Sequence, residues 1–318
     1  MTLKKYIVKQ YESKYFDQWN AFISKAKNAT FLFHRDFMEY HEERFQDYSL
    51  LIFEEDKLIA VLPANRVGEA VYSHQGLTYG GLVYSSKVNG EIVADIIESL
   101  LFFLKEKGMH FFYFKPIPSF YSSGGNHEID FFLFKNGAFL DKKEMNLAIN
   151  LALPLTISKS KLKHFRKIED LDLEIVQEQQ LQFFWELVLE PRLLEKYDAN
   201  PVHTLQEITK LKSNFPDNIK QFSVYHNNDI IAGITLFETD TVVKSQYGAT
   251  TKKGEELRAL DFLFINLIKK YKREGKQFFD MGIVNDDNEK GYHTGLLRQK
   301  EELGCSVYSQ DFYKMILI

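Results

Sequence analysis

The chain has 318 residues, of which 45% are hydrophobic and 26% charged, with a formal net charge of −4. This composition is typical of a soluble globular protein with room for one large domain or two. The net negative charge gives no indication of a DNA partner. The single cysteine, Cys305, excludes an intrachain disulfide.

The N-terminus and the apolar runs indicate where the protein is located. The N-terminal segment MTLKKYIVKQYESKYFDQW lacks the apolar core and the cleavage site of a secretory signal. The longest apolar run, IIESLLFFL, is interrupted by Glu98 and is shorter than the ~18 residues that a membrane span needs. The sequence therefore predicts a cytoplasmic protein without a membrane span.

The first half of the chain predicts a helix, three strands, a second helix and further strands. The segment Tyr15–Ala26 has helical periodicity, and Glu54–Val67 is typical of a hairpin with a polar turn. A strand over Ala70–Gly80 is followed by an amphipathic helix and an aromatic strand within Ile92–Phe114. The residues Phe131–Leu153 are predicted to form strands that pair antiparallel.

The second half repeats that order. A helical segment, Glu178–Tyr197, precedes a hairpin over His226–Thr239, a strand over Thr241–Ala249, and a helix and strand over Arg258–Met281. The repeat length of about half the chain is too long for a solenoid and indicates two related domains. We expect an α+β protein with a boundary near Ile157, so that residues 1–157 and 158–318 form separate domains.

Three segments of the second half carry a family resemblance. They are NPVHTLQEITKLKSNFPDNI (Asn200–Ile219), KSQYGATTKKGEELRALDFLFINLI (Lys244–Ile268) and FFDMGIVNDDNEKGYHTGLLRQKEELGC (Phe278–Cys305). Together with the order of elements, they resemble the FemAB-like branch of the GNAT acyltransferase superfamily. The resemblance implies two tandem GNAT-like domains, each with a mixed, mostly antiparallel sheet flanked by helices. In residues 1–157 it rests on the order of elements alone.

The resemblance also implies a donor site in the second domain. In such a site the acyl-thioester lies between two splayed strands, and its pyrophosphate lies at the start of the following helix. The residues expected to bind acyl-CoA, most favourably acetyl-CoA, are Tyr247, Gly248, Ala249, Thr250, Lys252, Lys253 and Gly254. The alternative interpretation of the TTKKGEEL segment is an ordinary start of a helix. In the first domain, HQGLTYGG (residues 74–81) forms either a wall of an acceptor cleft or a glycine-permitted twist.

Three residues are candidates for catalysis. His203 has the intrinsic pKa of a base near neutral pH, or else it caps the helix that begins at Thr204. Tyr247 is a candidate acid or a core aromatic. Asp280 ends the last central strand and is a candidate for orienting the acceptor amine or acting as a base. The residues expected to contact the acceptor are Glu190, Arg192, Asn285 and His293, although Glu190 and Arg192 also fit a solvated helix end.

Two further segments are polar. The loop over residues 285–291 clusters oxygen atoms but lacks the pattern of a calcium loop, and no histidine or cysteine spacing fits zinc, so we expect no metal. The segment Ser158–Leu171 is basic, which fits either an RNA contact or a solvated helix face. The chain lacks the long helical hairpin that some Fem-type enzymes carry, which favours coenzyme A over tRNA.

These features together predict an N-acyltransferase that moves an acyl group from acyl-CoA to an amine of a small molecule, such as an amino sugar or an amino-acid derivative. One alternative is a Fem-type transferase that uses aminoacyl-tRNA and acts on a peptidoglycan precursor. The other is a non-catalytic GNAT-like binding domain.

Overall fold

The computed structural model describes residues 6–122, 124–169 and 171–317, and the chain divides into two compact units. The first unit contains Met1–Glu144 and Ser309–Ile318, and the second contains Met145–Tyr308. The sequence instead places a single boundary near Ile157. The difference arises because the division falls inside a continuous strand, Phe139–Asn150, where no polar linker marks it.

The chain forms fifteen strands within its described residues. In chain order they are β1 Tyr6–Gln10, β2 Gln46–Asp47, β3 Leu50–Glu54, β4 Lys57–Leu62, β5 Asn65–Val67, β6 Ala70–Tyr72, β7 Val83–Tyr84, β8 Phe111–Phe114, β9 Phe139–Asn150, β10 Leu173–Glu178, β11 Ile219–His226, β12 Asp229–Glu238, β13 Val242–Thr250, β14 Phe278–Ile283 and β15 Ser306–Ile316.

The same residues contain eleven α-helical segments. They are α1 Phe16–Ile23, α2 Arg35–Met38, α3 Gly90–Glu106, α4 Glu128–Lys135, α5 Lys159–Ile168, α6 Gln182–Phe184, α7 Glu190–Tyr197, α8 Leu205–Asn214, α9 Lys252–Glu256, α10 Ala259–Arg273 and α11 Thr294–Glu302. A π-helical segment, Trp185–Leu189, joins α6 to α7. Short 3-10 helices occupy Ser13–Tyr15, Phe31–Phe33, Glu39–Arg44 and Ser119–Tyr121.

The first unit contains two groups of strands. One sheet has the order β1-β3-β4-β7 and is antiparallel throughout. The other group has the order β15-β8-β6-β5-β2, in which β6 and β8 are parallel and the other pairs whose register is known are antiparallel. Helix α3 lies against a core that includes Val71, Leu100 and Phe112.

The second unit contains the strand order β10-β11-β12-β13-β14-β9, with β13 and β14 parallel and the other pairs antiparallel. The apolar face of α10 is buried, with Leu263 and Ile268 fully covered. These side chains pack into a core with Ile234 and Phe279. The predicted α+β class with mixed, mostly antiparallel sheets flanked by helices is confirmed.

The predicted hairpins and long helices are confirmed, but two strand predictions are not. The strand predicted over Ala70–Gly80 ends at Tyr72, because the chain turns at His74, which has positive φ. The turns at residues 55–56 and 227–228 join β3 to β4 and β11 to β12. Helices α3 and α10 end before Gly108 and Gly275, which both have positive φ. Residues Phe131–Leu153 were predicted as paired strands, but their first part belongs to α4. There, Ile129 and Leu133 lie one helical turn apart and are both buried.

Candidate functional site

The second unit opens between its two parallel strands. Strands β13 and β14 pair in parallel register over Val242–Lys244 and Phe278–Asp280, and the pairing ends there. Strand β13 nevertheless continues to Thr250 and keeps its pairing with β12. In the part of the chain that the structure describes, the other edge of β13 has no strand partner after Lys244. Its main-chain polar groups are therefore available to a ligand.

Asp280 fixes the point at which the strands separate. Its carboxylate accepts hydrogen bonds from the Gly282 amide at 2.8 Å and from Asn146 Nδ2 at 3.0 Å. It also forms an ion pair with Lys244, at 3.4 Å between Nζ and Oδ2. Gly282 has φ +75°, and the register with β9 shifts between Asp280 and Gly282. Because the carboxylate holds the Gly282 amide, β14 bends at this position rather than continuing alongside β13.

A cleft of about 590 Å³ lies at this opening, within the size range of small-molecule sites. Its walls include Ser245, Gln246 and Gly248 of β13, Met281 of β14 and Phe264 of α10. Strand β13 has a bulge at Gln246, since Thr235 pairs with Tyr247 while Leu236 pairs with Ser245. Within the described residues, the buried Gln246 Oε1 has no hydrogen-bond partner. An unsatisfied buried acceptor is uncommon in proteins.

The cleft is positively charged although the chain as a whole is negative. Its lining contains the basic residues Lys161, Arg192, Lys196, Arg258 and Lys300 and the acidic residues Glu255 and Asp261. Both acids are paired with bases of the cleft: Lys161 lies 2.5 Å from Asp261, and Arg192 contacts Glu255. Arg258 immediately precedes α10, whose N-terminus carries the positive end of the helix dipole. The cleft is therefore suited to an anionic ligand.

Lys300 is a buried basic group of the cleft. Its Nζ donates hydrogen bonds to the carbonyl oxygens of Gly282 at 3.1 Å and Ile283 at 2.9 Å. Burial, together with the nearby charge of Lys244, lowers the pKa of Lys300 to about 8. An ammonium group has three N–H donors, so the two carbonyls leave one for a ligand.

The sequence-predicted residues divide into those that line the cleft and those that do not. Gly248, Ala249, Thr250, Gly254 and Arg192 line it. The other predicted residues are not among its lining: Tyr247, His203, Asp280, Lys252, Lys253, Glu190, Asn285 and His293.

His203 and Tyr247 are brought together by the fold. His203 Nδ1 lies 2.5 Å from the Tyr247 hydroxyl, which also accepts a hydrogen bond from the His203 amide at 3.3 Å. The Tyr247 ring packs edge-on against Trp185 at 5.1 Å. Burial raises the pKa of the Tyr247 hydroxyl to about 12, so it stays protonated at neutral pH. Thr204, rather than His203, caps α8, through a capping box with Glu207.

The segment between β13 and α10 is tightly packed around Gly254. A Cβ on Gly254 would lie 2.2 Å from both the Ile231 carbonyl oxygen and Thr250 Oγ1. The Gly254 amide already donates to Thr251 Oγ1 at 3.1 Å. Lys252 and Lys253 are exposed and pair with Glu195 and Glu256 respectively. Gly254 is thus explained by packing against β12 as well as by its place in the cleft wall.

The predicted acceptor residues have structural contacts of their own. Asn285 Oδ1 accepts a hydrogen bond from the Met145 amide at 2.8 Å. His293 caps α11, because its Nδ1 accepts from the Leu296 amide at 3.0 Å. Glu190 is half-buried at the start of α7. These contacts fix the loop between β14 and α11.

Sequence reasoning missed several cleft residues, namely Lys161, Ser245, Gln246, Arg258, Asp261 and Lys300. In the sequence Lys161 is only one member of a basic segment, and its neighbours Lys163 and Lys167 on α5 are exposed. Lys300 belongs to the Lys-Glu-x-x-Gly motif of the resemblance, and that motif could have identified it. A β-bulge such as that at Gln246 leaves no comparable signal in one sequence.

The described residues lack two further features. They contain no group of three or more His, Cys, Asp or Glu side chains that could hold a metal ion. No helix among residues 6–122, 124–169 and 171–317 is long and apolar enough to cross a bilayer.

Comparison with known proteins found similarity in structure but not in sequence. No family model and no curated protein matches the chain. The structure is similar to FemX, with a TM-score of 0.69 and 11% identity over 98% of this chain and 97% of that one. It is also similar to L-PGS from Bacillus licheniformis, with a TM-score of 0.56 and 14% identity over 84% and 83% of the two chains.

A third solved structure is a tandem GNAT protein from the clavulanic acid biosynthesis pathway. Its TM-score is 0.54, with 9% identity over 98% of this chain and 99% of that one. Because all three identities are low, these similarities establish the fold alone. The chain has two GNAT-like domains in tandem, and the predicted resemblance to FemAB-like proteins is confirmed at the level of the fold.

Proposed function

We propose that this protein is an N-acyltransferase that moves an acyl group from acyl-CoA, most favourably acetyl-CoA, to an amine of a small molecule. The observation that carries the proposal is the opening between β13 and β14. It combines an unpaired strand edge with a positively charged cleft of about 590 Å³. A thioester with a phosphorylated tail needs both features.

The donor would be held by main-chain and basic groups. Amides on the open edge of β13, within residues 245–250, would donate to the thioester carbonyl oxygen and stabilise the charge that develops on it. Arg258, Lys196 and the N-terminus of α10 would attract the phosphates. The fold similarity to a tandem GNAT protein described in its form without AcCoA supports coenzyme A as the carrier.

The chemical step transfers the acyl group directly. The acceptor nitrogen forms a bond to the acyl carbon, the carbon–sulfur bond breaks, and the amine loses a proton while the thiolate gains one. We propose that the third N–H of Lys300 donates to the acyl oxygen or to the acceptor. Asp280 is 1% exposed, so we propose that it acts by holding β14 and Lys244 rather than by touching the amine.

The roles of the remaining predicted residues are part of the proposal. His203 and Tyr247 form one hydrogen-bonded pair next to the donor strand, and we propose that they handle the transferred proton together. Arg192 lines the cleft and is proposed to contact the acceptor or the donor phosphate. We propose that three further residues shape the acceptor side of the cleft by holding their own segments in place, namely Glu190, Asn285 and His293.

A second candidate is a Fem-type transfer from aminoacyl-tRNA. The observation that favours it is the basic helix α5, on which Lys159, Lys163, Arg166 and Lys167 are exposed while Lys161 lines the cleft. Such a surface would attract a phosphate backbone. The fold similarity to FemX also supports this candidate, with the acceptor then a peptidoglycan precursor.

Thermal stabilisation distinguishes these candidates. The melting temperature of the full chain would be measured with acetyl-CoA, a longer acyl-CoA and a charged tRNA, because a ligand that binds the native state raises it. We expect acetyl-CoA to raise it in the wild type and to do so much less in Arg258→Met. The control Lys210→Met changes an exposed lysine of α8 outside the cleft and should behave as wild type.

Each result has a distinct meaning. If only charged tRNA stabilises the protein, the donor is aminoacyl-tRNA and not acyl-CoA. If none of the three ligands stabilises it, both transferase proposals are refuted. If acetyl-CoA binds but a panel of amines releases no free coenzyme A thiol, the protein is instead a non-catalytic GNAT-like binding domain.

A further inference from the structure

Lys300 differs from the other residues of its helix. Residues Thr294–Glu302 of α11 are all described, and Lys300 is the one among them that is buried, with 6% of it exposed. Such burial is uncommon for a lysine, because an ammonium group loses its hydration. The side chain nevertheless lines the cleft of the second unit. A buried amine at the wall of a cleft is placed to react with a ligand held there.

A second buried lysine of the cleft has a different environment. Lys161 Nζ donates to both carboxylate oxygens of Asp261, at 2.6 and 2.5 Å, so a full negative charge compensates it. Lys300 Nζ donates instead to two main-chain carbonyl oxygens, those of Gly282 and Ile283. A carbonyl oxygen accepts a hydrogen bond from a neutral amine as well as from an ammonium. The contacts of Lys161 therefore require its charge, whereas those of Lys300 do not.

A neighbouring lysine opposes the protonation of Lys300. Lys244 Nζ lies near the same glycine, 3.3 Å from the position that a Cβ of Gly282 would take. Burial and the charge of Lys244 together lower the pKa of Lys300 to about 8, although Asp280 and Cys305 act in the opposite direction. At pH 7 about one Lys300 side chain in ten is then neutral. For a lysine with the ordinary pKa of about 10.4 the neutral fraction is below about one in a thousand.

The neutral amine of Lys300 has the features of an activated nucleophile. Two of its N–H groups keep their carbonyl acceptors, Gly282 and Ile283, so loss of the third proton leaves a lone pair at the remaining position. A desolvated lysine beside a second cationic group is one of the ways in which proteins activate an amine. The thiol of the nearby Cys305 is not activated, since burial raises its pKa to about 12. Lys300 is therefore the nucleophile of this cluster.

We propose that Lys300 is a self-acylation site, at which Nζ takes the acyl group from a thioester bound in the cleft. This inference rests on the proposed function, because a thioester donor in the cleft is its source of acyl groups. A bond forms between Nζ and the acyl carbon, the carbon–sulfur bond breaks, and one proton passes from the nitrogen to the leaving thiolate. The step needs no oxidant and no further reactant.

Acylation of Lys300 would inhibit the transferase. The resulting amide is neutral and keeps a single N–H, so one of the two carbonyls, that of Gly282 or that of Ile283, loses its donor. The acyl group also occupies volume at the wall of the cleft. Because an amide does not pass its acyl group to an amine, the modified chain is not an intermediate of the transfer. We expect it to bind acetyl-CoA several-fold more weakly than the unmodified chain, since the positive charge is lost.

The test uses two thioesters, acetyl-CoA and S-acetyl-N-acetylcysteamine, of which the second has no phosphate groups. The full chain is incubated with each at pH 7.5, and peptide mass spectrometry follows the acetylation of every lysine with time. We expect Lys300 to be acetylated at least about tenfold faster than Lys161 and the exposed Lys210. Lys161 is the matched control, because it lines the same cleft but its amine is held in an ion pair.

The pH dependence and one variant sharpen this test. The rate at Lys300 should rise about tenfold from pH 7 to pH 9 and then level off, whereas the rate at exposed lysines should keep rising towards about pH 10. Lys300→Arg keeps a positive charge but has no reactive amine, and its melting curve verifies that it is folded. Treatment with S-acetyl-N-acetylcysteamine should lower the acetyl-CoA affinity of the wild type several-fold and should not change that of Lys300→Arg.

The outcomes separate this proposal from the proposed function, which the melting temperature with acetyl-CoA tests alone. If acetyl-CoA does not stabilise the chain but the small thioester acetylates Lys300 first, the self-acylation site is supported and acyl-CoA is refuted as the donor. If neither thioester acetylates Lys300 faster than Lys161 and Lys210, the self-acylation site is refuted, whether or not acetyl-CoA stabilises the chain. An unchanged acetyl-CoA affinity after acetylation of Lys300 would refute the inhibition.

Discussion

The described residues of each unit include a parallel strand pair of three residue pairs, but different side chains stand at its last pair. In the second unit the last pair is Lys244 and Asp280, a buried ion pair. In the first unit it is Tyr72 and Tyr113, two stacked rings. The carboxylate of Asp280 can accept the Gly282 amide and bend its strand, whereas a tyrosine ring offers no such acceptor to the main chain.

The residues that follow these last pairs also differ between the two units. Strand β13 continues for six more residues to Thr250, with its edge open, and so presents main-chain groups to a cleft. Strand β6 ends, and Ser73 and Gly80 close the edge against Lys115. Of these two parallel pairs, only the one in the second unit therefore keeps an open main-chain edge beside it. The fold alone does not determine the site.

The largest expected effect is on stability, at the last pair of the second unit. Asp280→Asn removes the charge that compensates the buried Lys244 and should lower the free energy of unfolding by about 3–5 kcal/mol. The counterpart Tyr113→Phe keeps its stacked ring and should lose less than about 1 kcal/mol. Urea denaturation of both variants measures the difference. Similar small losses in the two would mean that the ion pair does not hold the strands at their point of separation.

Two glycines of the second unit provide the next comparison. Gly254→Ala would place its Cβ 2.2 Å from a main-chain oxygen, so we expect a loss of about 1–3 kcal/mol in the free energy of unfolding. A Cβ on Gly248 would meet Ile234 and Phe264 at an ordinary 3.7 Å. Gly248→Ala should therefore fold normally.

The same two variants separate packing from donor binding. Because Gly248 lines the cleft, Gly248→Ala should weaken acetyl-CoA binding about tenfold, or about 1.4 kcal/mol, while its stability stays near that of the wild type. Isothermal titration calorimetry and urea denaturation provide the two measurements. Unchanged affinity in Gly248→Ala would place the donor elsewhere.

Much of the fold could be predicted from the sequence because its signals are local. Helical periodicity and the glycines at 108 and 275 identified α3 and α10, and polar turns identified both hairpins. The α4 segment was mistaken for a strand because FFLF lacks polar spacing, and its helical burial depends on contacts with distant residues. The division between the two units within β9 could not be predicted from the sequence. A continuous strand contains no segment with the composition of a linker.

The site was predicted less completely, for a related reason. Gly248, Ala249 and Thr250 were found because they follow one another on a single strand. Lys161 and Arg258 enter the cleft from two different helix starts, and only the packing of α5 and α10 brings them there. The closed edge in the first unit depends on Ser73 meeting Lys115, which are far apart in the sequence. A single sequence gives no signal that two residues so far apart will be in contact.

The next prediction concerns pH and Lys300. Because the pKa of Lys300 in the folded protein is about 8, the side chain loses its positive charge between pH 7 and pH 9. Acetyl-CoA affinity should fall several-fold over that interval in the wild type, since an ammonium attracts the donor more strongly than a neutral amine. Lys300→Arg should show a flatter profile, and Lys300→Met should bind weakly throughout. A wild-type profile without a change near pH 8 would remove Lys300 from the donor site.

The same group should affect stability in the opposite direction. Its folded-state pKa of about 8 is below the value of about 10.4 for an unfolded chain, so the unfolded state binds more protons between these values. The contribution of Lys300 to stability therefore rises as pH increases from about 8 towards 10 and is lost as pH falls through 8. Urea denaturation at several pH values, compared with Lys300→Met, isolates this contribution.

The smallest expected effect belongs to the His203–Tyr247 pair. Tyr247→Phe removes the hydroxyl that bonds to His203 and should cost about 1 kcal/mol of stability. Because Tyr247 does not line the cleft, the KM for acetyl-CoA should stay within about twofold. If the pair handles the transferred proton, kcat should fall while this KM is unchanged. A rise in KM with constant kcat would instead mean that the hydroxyl acts through donor binding. Wild-type values of both constants would mean that the pair is only a structural contact between β13 and the loop before α8.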